Sequence, residues 1–287
     1  MQRIFFFCLL IGCIQLNAQK TDKKLQQQIE TLLQGFRGDI GVYVHDLKKN
    51  RVAAVHADTV FPTASMVKVP IMIGVMDKIS KKELDYHQSL TYKDSLLYEG
   101  VDILGSFKNN EKIDLSKVMM LMLTTSDNTA SLWLQSLAGT GTRINQLMDS
   151  LGFPNTKVNS RTPGREEIRK IFGWGQTTPR EMATLFEKIA ARQILSDSAS
   201  DKMLKLLGRN YWDEEGLSSI PAGVFVASKN GAVNASRSEV IYVQGEGVNY
   251  VFCICTKNNQ DQSWTPSNEA WTLTRKLSSL LWNYYKK

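Results

Sequence analysis

Residues 61–70 read Phe61-Pro62-Thr63-Ala64-Ser65-Met66-Val67-Lys68-Val69-Pro70, and the spacing of Ser65 and Lys68 governs how the rest of the chain is read. Phe61 and Pro62 end the preceding segment, the small Thr63 and Ala64 make a turn, and an apolar, helix-compatible run from Met66 to Ile79 follows. Ser65 is therefore expected to open a helix. As an N-cap its oxygen would satisfy an orphan backbone N–H, which by itself would explain a serine there. A lysine one helical turn later, though, faces the same side, and a serine hydroxyl needs an adjacent base before it can act as a nucleophile at neutral pH. Lys68 can be that base if burial and neighbouring cations lower its pKa.

The whole chain has 287 residues, 43% hydrophobic and 22% charged, which is ordinary globular composition with enough length to bury a sizeable core. Residues 1–18 stand apart. Arg3, the apolar run Ile4 to Ile14 and the small Ala18 read as a signal peptide cleaved after Ala18. Leu10-Ile11-Gly12-Cys13 also resembles a lipobox, in which Cys13 would carry lipid. Either way the chain is expected to be exported, to the periplasm or beyond. No later stretch has about 18 uninterrupted apolar residues, so no membrane span is expected. Of the four cysteines, Cys253 and Cys255 remain after cleavage; they alternate on an apparent strand, a spacing suited to core packing rather than to a disulfide. His45, His56 and His87 show no ligand spacing, so no metal and no cofactor are expected. The formal charge of +7, or +6 once Arg3 is removed, is scattered among acids, which argues against a nucleic-acid binder.

Periodicity predicts a helix over Leu25 to Phe36, a hairpin of Asp39 to Leu47 and Arg51 to His56, and helices over 115–137, 142–151, 179–191 and 197–207. The stretch 159–178, rich in Gly, Pro and Arg, reads as an irregular loop. From Gly223 the period becomes two, giving three antiparallel strands with turns at Asn230-Gly231 and at Gly245 to Gly247, before a final helix from Pro266 to Tyr285. The expected class is α/β: an antiparallel sheet built from both chain ends and flanked by helices, with an all-helical subdomain inserted over roughly residues 70–210. Residues 19–287 then form one domain, read as a monomer.

Two more motifs join the first. Ser126-Asp127-Asn128 lies in the helical middle, and Lys229-Asn230-Gly231 lies on the first late strand. In this order, with Phe61-Pro62 before Ser65, Thr177-Thr178-Pro179 opening a helix and Arg237 beyond the strand, the chain resembles the class A β-lactamase family of penicillin-recognising serine enzymes. The likeness runs from about Leu25 to the C-terminus. It implies an acyl-enzyme on Ser65, with the backbone N–H groups of Ser65 and Ala232 as the oxyanion hole. Ser126 would pass a proton to the leaving nitrogen. Asn128 would bind the substrate amide and hold Lys68, Lys229 would attract the substrate carboxylate with Asn230 able to donate to it, and Arg237 would be a further substrate-binding residue. Gly231 would leave room for substrate along the strand edge, and Asp127 would tie its loop together.

The chain departs from the family on the loop before Thr177. Glu166 and Glu167 are its only carboxylates, and Lys170 and Ile171, four residues on, include no asparagine to hold a hydrolytic water. Aligning Arg161 with the family's loop arginine puts Pro163 at the glutamate's place. Glu166 is the candidate deacylating base, with a pair of solvent carboxylates beside Arg165 and Arg169 as the other reading. Asn230 stands where the family has a hydroxyl. The expected substrate is a β-lactam or a peptidoglycan-like peptide. A peptidase or esterase on cell-wall peptides and a non-catalytic binder of cell-wall fragments are the alternatives, the latter disfavoured because binding needs no nucleophile with its base.

Overall fold

A computed structural model describes residues 19–100, 102–208 and 210–286; residues 1–18, read from the sequence as an export signal with Ala18 and Cys13, lie outside them. The chain opens with strand β1 (Lys20–Thr21), helix α1 (Lys23–Leu33) and the hairpin β2 (Asp39–Asp46) and β3 (Arg51–Val55). After β4 (Phe61–Pro62) come a 3-10 turn, Ala64–Val67, helix α2 (Lys68–Ser80) and the small hairpin β5 (Ser89–Thr91) and β6 (Lys112–Asp114). Helices α3 (Leu115–Met120), α4 (Asn128–Leu137) and α5 (Thr140–Ser150) follow, then β7 (Lys157–Val158), α6 (Glu166–Phe172), β8 (Gly175–Thr177), α7 (Pro179–Ala190) and α8 (Asp197–Leu207). Strands β9 (Phe225–Val233), β10 (Ser236–Gly245) and β11 (Val248–Lys257) and helix α9 (Glu269–Tyr285) close the chain.

The main sheet has the order β1-β3-β2-β11-β10-β9. The two ends of the chain meet where β11 pairs antiparallel with β2, Cys253 opposite Tyr43 and Cys255 opposite Gly41. Both faces are covered, which is why β11 is apolar at nearly every position. Val251, Cys253 and Cys255 join the core shared with the inserted helices, whereas Tyr250, Phe252 and Ile254 pack with Leu25 and Ile29 of α1 and Leu277 and Leu281 of α9. Each such buried side chain contributes about 1.5–3 kcal/mol. The two cysteines are free and buried with their sulfurs 3.6 Å apart. Among the described residues no helix is long and apolar enough to cross a membrane.

The sheet from both chain ends and the helical insert are as the sequence predicts, and four local features differ. The helix over 115–137 breaks: α3 loosens into a π turn over Leu121–Thr125, Ser126 takes left-handed φ of 64°, and Asp127 caps α4 by accepting from Ala130 N–H at 2.7 Å. That break puts the Ser126 side chain at the helix junction. Next, Asn230-Gly231 is no turn, because pairing with β10 continues through Asn230↔Glu239 and Gly231↔Ser238 to Val233↔Ser236. The loop 159–178 contains α6 and β8, β8 being held by β4 and β7. Finally, Ser65 does not cap α2; it lies inside the 3-10 turn, where the preceding Ala64 has φ of 43° and bends the chain sharply.

Candidate active site

Ser65 reaches the cleft because Ala64 and the 3-10 turn lift it off the start of α2. Lys68, the first residue of α2, points back beneath it and is fully buried. Its Nζ lies 3.0 Å from Ser65 Oγ, 2.9 Å from Ser126 Oγ, 2.5 Å from the Ser126 carbonyl and 2.9 Å from Asn128 Oδ1. Burial pushes the Lys68 amine down to about 7, against the opposing pull of Asp102 and Asp127. Those carboxylates are engaged with backbone: Asp102 accepts from the N–H groups of Asn128 and Thr129, and Asp127 from those of Ala130 and Leu104. They hold the start of α4 in place, and with it Asn128.

Lys229 enters from β9, wholly buried, donating to its neighbour's backbone carbonyl at 2.9 Å and to Asn230 Oδ1 at 3.1 Å. Burial and the nearness of Lys68 push its amine well below the usual range, with Glu239 pulling the other way. Gly231 has a reason beyond the one its sequence suggests. A Cβ there would sit 2.6 Å from Ser65 N and 2.5 Å from Thr63 O, so the missing side chain makes room for the turn carrying Ser65. Backbone cannot yield as a flexible side chain would. Gly231→Ala is therefore expected to displace the turn and slow any reaction at Ser65 more than tenfold, as about 1–3 kcal/mol of overpacking implies. Comparing the labelling rate of the variant by a serine-directed probe with that of the unmodified protein checks this.

Ser65, Asn128 and Ala232 stand between two lobes of the cleft. One, of about 480 Å³, is walled by Tyr98, Phe172, Trp174 and Val233, with the rings of Tyr98 and Trp174 edge to face at 5.0 Å. The other, of about 500 Å³, is lined by Ser126, Asn230, Trp212, Trp264, Trp271 and the carboxylates Glu214 and Glu215. Sequence reasoning passed over these aromatic walls, since single tryptophans in loops carry no spacing signal. The lobe on the Trp174 side has no carboxylate among its lining residues.

Of the predicted site residues, the structure brings together Ser65, Lys68, Ser126, Asn128, Lys229, Asn230, Gly231 and Ala232. It does not bring in Glu166, which lies on the first turn of α6, accepts from Gly164 N–H at 3.2 Å and faces a separate surface depression with Arg161, Pro163 and Arg169. Glu167 is exposed and pairs with Lys170 at 2.6 Å. Nor does Arg237 line either lobe. Its guanidinium is held between the rings of Trp264 and Trp271, at 4.5 and 4.7 Å, and donates to the carbonyls of Val233, Asn234, Ser236 and Ser263. Arg237 thus braces the turn between β9 and β10 and does not line the cleft as the substrate-binding residue expected from the sequence. Among the described residues no group of three or more His, Cys, Asp and Glu is placed to hold a metal ion.

A serine within hydrogen-bond reach of a buried lysine, at the seam between a sheet edge and a helical insert, is an arrangement that suits serine acyl-transfer chemistry. Residues 24–285 match the model of the Beta-lactamase enzyme family, and the chain belongs to that family. It is 24% identical to Beta-lactamase SME-1 of Serratia marcescens, over 81% of this chain and 79% of that protein. Among solved structures it is similar to PBP-A, with a TM-score of 0.82 and 26% identity over 93% of this chain and 98% of that one. A mutant of PBP-A, solved as an acyl-enzyme complex with penicillin G, matches with the same TM-score and identity over 94% of this chain and 99% of that one.

Proposed function

We propose that this chain is an exported serine hydrolase that opens β-lactams through an acyl-enzyme on Ser65 and releases the product slowly. The observation that carries the reading is the position of Lys68: buried, near neutrality in its pKa and within hydrogen-bond reach of both Ser65 Oγ and Ser126 Oγ. Neutral Lys68 takes the Ser65 proton as the Oγ–carbon bond forms. The negative charge that develops on the carbonyl oxygen falls to the N–H groups of Ser65 and Ala232. When the carbon–nitrogen bond breaks, the nitrogen takes the proton of Ser126 Oγ, and the Lys68 ammonium restores it. Lys229 and Asn230 receive the substrate carboxylate. A second reading, acyl transfer on cell-wall peptides with β-lactams as slow acylators, is favoured by the lack of a carboxylate in the Trp174 lobe.

Intact mass spectrometry after mixing with penicillin G tests the proposal. A mass increase of one penicillin, mapped to Ser65, is expected, and its absence sinks the reading. The pH dependence adds a sign. Lys68 must be neutral to accept a proton, so the acylation rate should rise about tenfold per pH unit below about 7 and level off above it. A rate that is flat from pH 5 to 8 would remove Lys68 from the role of base.

A further inference from the structure

Behind Asn230 lies a second asparagine, Asn210, which is 5% exposed and belongs to none of the three motifs. Its Oδ1 accepts from the backbone N–H of Trp212 at 3.3 Å. A backbone N–H can only donate, so the orientation of the Asn210 amide is set, and its Nδ2 is left to face Asn230. That Nδ2 donates to Asn230 Oδ1 at 3.0 Å, and Lys229 Nζ donates to the same oxygen at 3.1 Å. With two donors on its oxygen, Asn230 has its own Nδ2 left for the lobe that it lines with Ser65 and Ser126. The relay is anchored at its far end. Tyr211 N–H donates to the Thr124 carbonyl at 3.1 Å, and Trp212 Nε1–H to the Thr125 carbonyl at 3.0 Å, immediately before Ser126.

We infer that Asn210 is a positioning residue that holds the Asn230 amide with its N–H groups toward the cleft, making the site selective for substrates with a free carboxylate beside the scissile amide. A hydroxyl in place of Asn230 would rotate to suit its partner. An amide is different, since one orientation offers donors and the other offers a carbonyl oxygen that repels a carboxylate. Only a fixed orientation makes the asparagine serviceable. The inference rests on the acyl-enzyme reading above and names the substrate feature that the site selects.

The test measures the rate of adduct formation on Ser65 with penicillin G and with its methyl ester, which lacks the carboxylate. Asn210→Asp keeps an acceptor for Trp212 N–H and replaces the donor that faces Asn230 by an acceptor; Asn210→Ala removes both. Each is expected to slow the acid about 10–100-fold, the range of a charge-assisted hydrogen bond, and the ester less than about threefold. In an Asn230→Thr background, where a hydroxyl orients unaided, Asn210→Ala should change the acid-to-ester ratio by less than about threefold. Equal losses for acid and ester, or an acid-specific loss that persists in the Asn230→Thr background, overturn the positioning role. Failure of the unmodified protein to form an adduct with either compound overturns the acyl-enzyme reading, and the inference falls with it.

Discussion

Ser65→Ala is expected to abolish covalent labelling by penicillin G or by a fluorophosphonate, with no residual adduct at Ser126 or elsewhere. The oxygen removed is the one hydroxyl that the structure places both within reach of Lys68, at 3.0 Å, and at the junction of the two cleft lobes. Ser126 Oγ also touches Lys68, at 2.9 Å, but Ser126 lines only the lobe that it shares with Trp212 and Asn230. The fold should survive. Lys68 keeps the Ser126 carbonyl, Ser126 Oγ and Asn128 Oδ1 as acceptors, so the loss is that of one hydrogen bond, about 1 kcal/mol. Intact mass and a thermal melt of the same sample separate the two outcomes. Undiminished labelling of a folded variant would refute the assignment of the nucleophile.

The second large effect lies in turnover. Hydrolysis of an acyl-serine at a useful rate needs a base to activate water, and a missing general base costs about 10²–10⁴-fold. Glu166 faces a separate depression, Glu167 is paired with Lys170 in solvent, and the lobe beside Trp174 has no carboxylate among its lining residues. A rapid release of about one opened β-lactam per enzyme, followed by a weak steady state, is therefore expected. Glu166→Gln and Glu167→Gln should each change the slow phase less than about tenfold. Stopped-flow absorbance at the β-lactam band measures both phases. A trapped adduct in either variant would identify that glutamate as the deacylating base and overturn the expectation.

The parts of the site carried by short, local patterns were legible in the sequence. Ser65 and Lys68 face each other because three residues make about one helical turn, and Lys229 follows from period two on a strand, although the Asn230-Gly231 pair after it reads as a turn and is strand. What escaped depends on contacts between distant segments. Arg237 reads as a free cation until Trp264 and Trp271, from the connection before α9 and from α9 itself, close over it. Glu166 reads as a loop carboxylate near the site, yet α6 turns it outward. Gly231 was legible as an obligatory glycine but not for its closest contacts, since the backbone it must admit belongs to residues 63–65. Asn210 looks like any turn asparagine, and only its bond to Asn230 sets it apart.

The pairing of β11 with β2 also has a consequence in time. Ser65 emerges from the ribosome long before Lys229 and Ala232, and the edge strand that completes the cleft can join the sheet only after β10 and β11 have been made and have closed against β2. Contacts of such large sequence separation form late, because the loop-closure entropy must be met before they stabilise anything. Ser65 and Lys68 are thus made early, before the edge strand that walls the cleft beside them exists. The cleft is therefore complete only once the last strands have locked the two ends of the chain together.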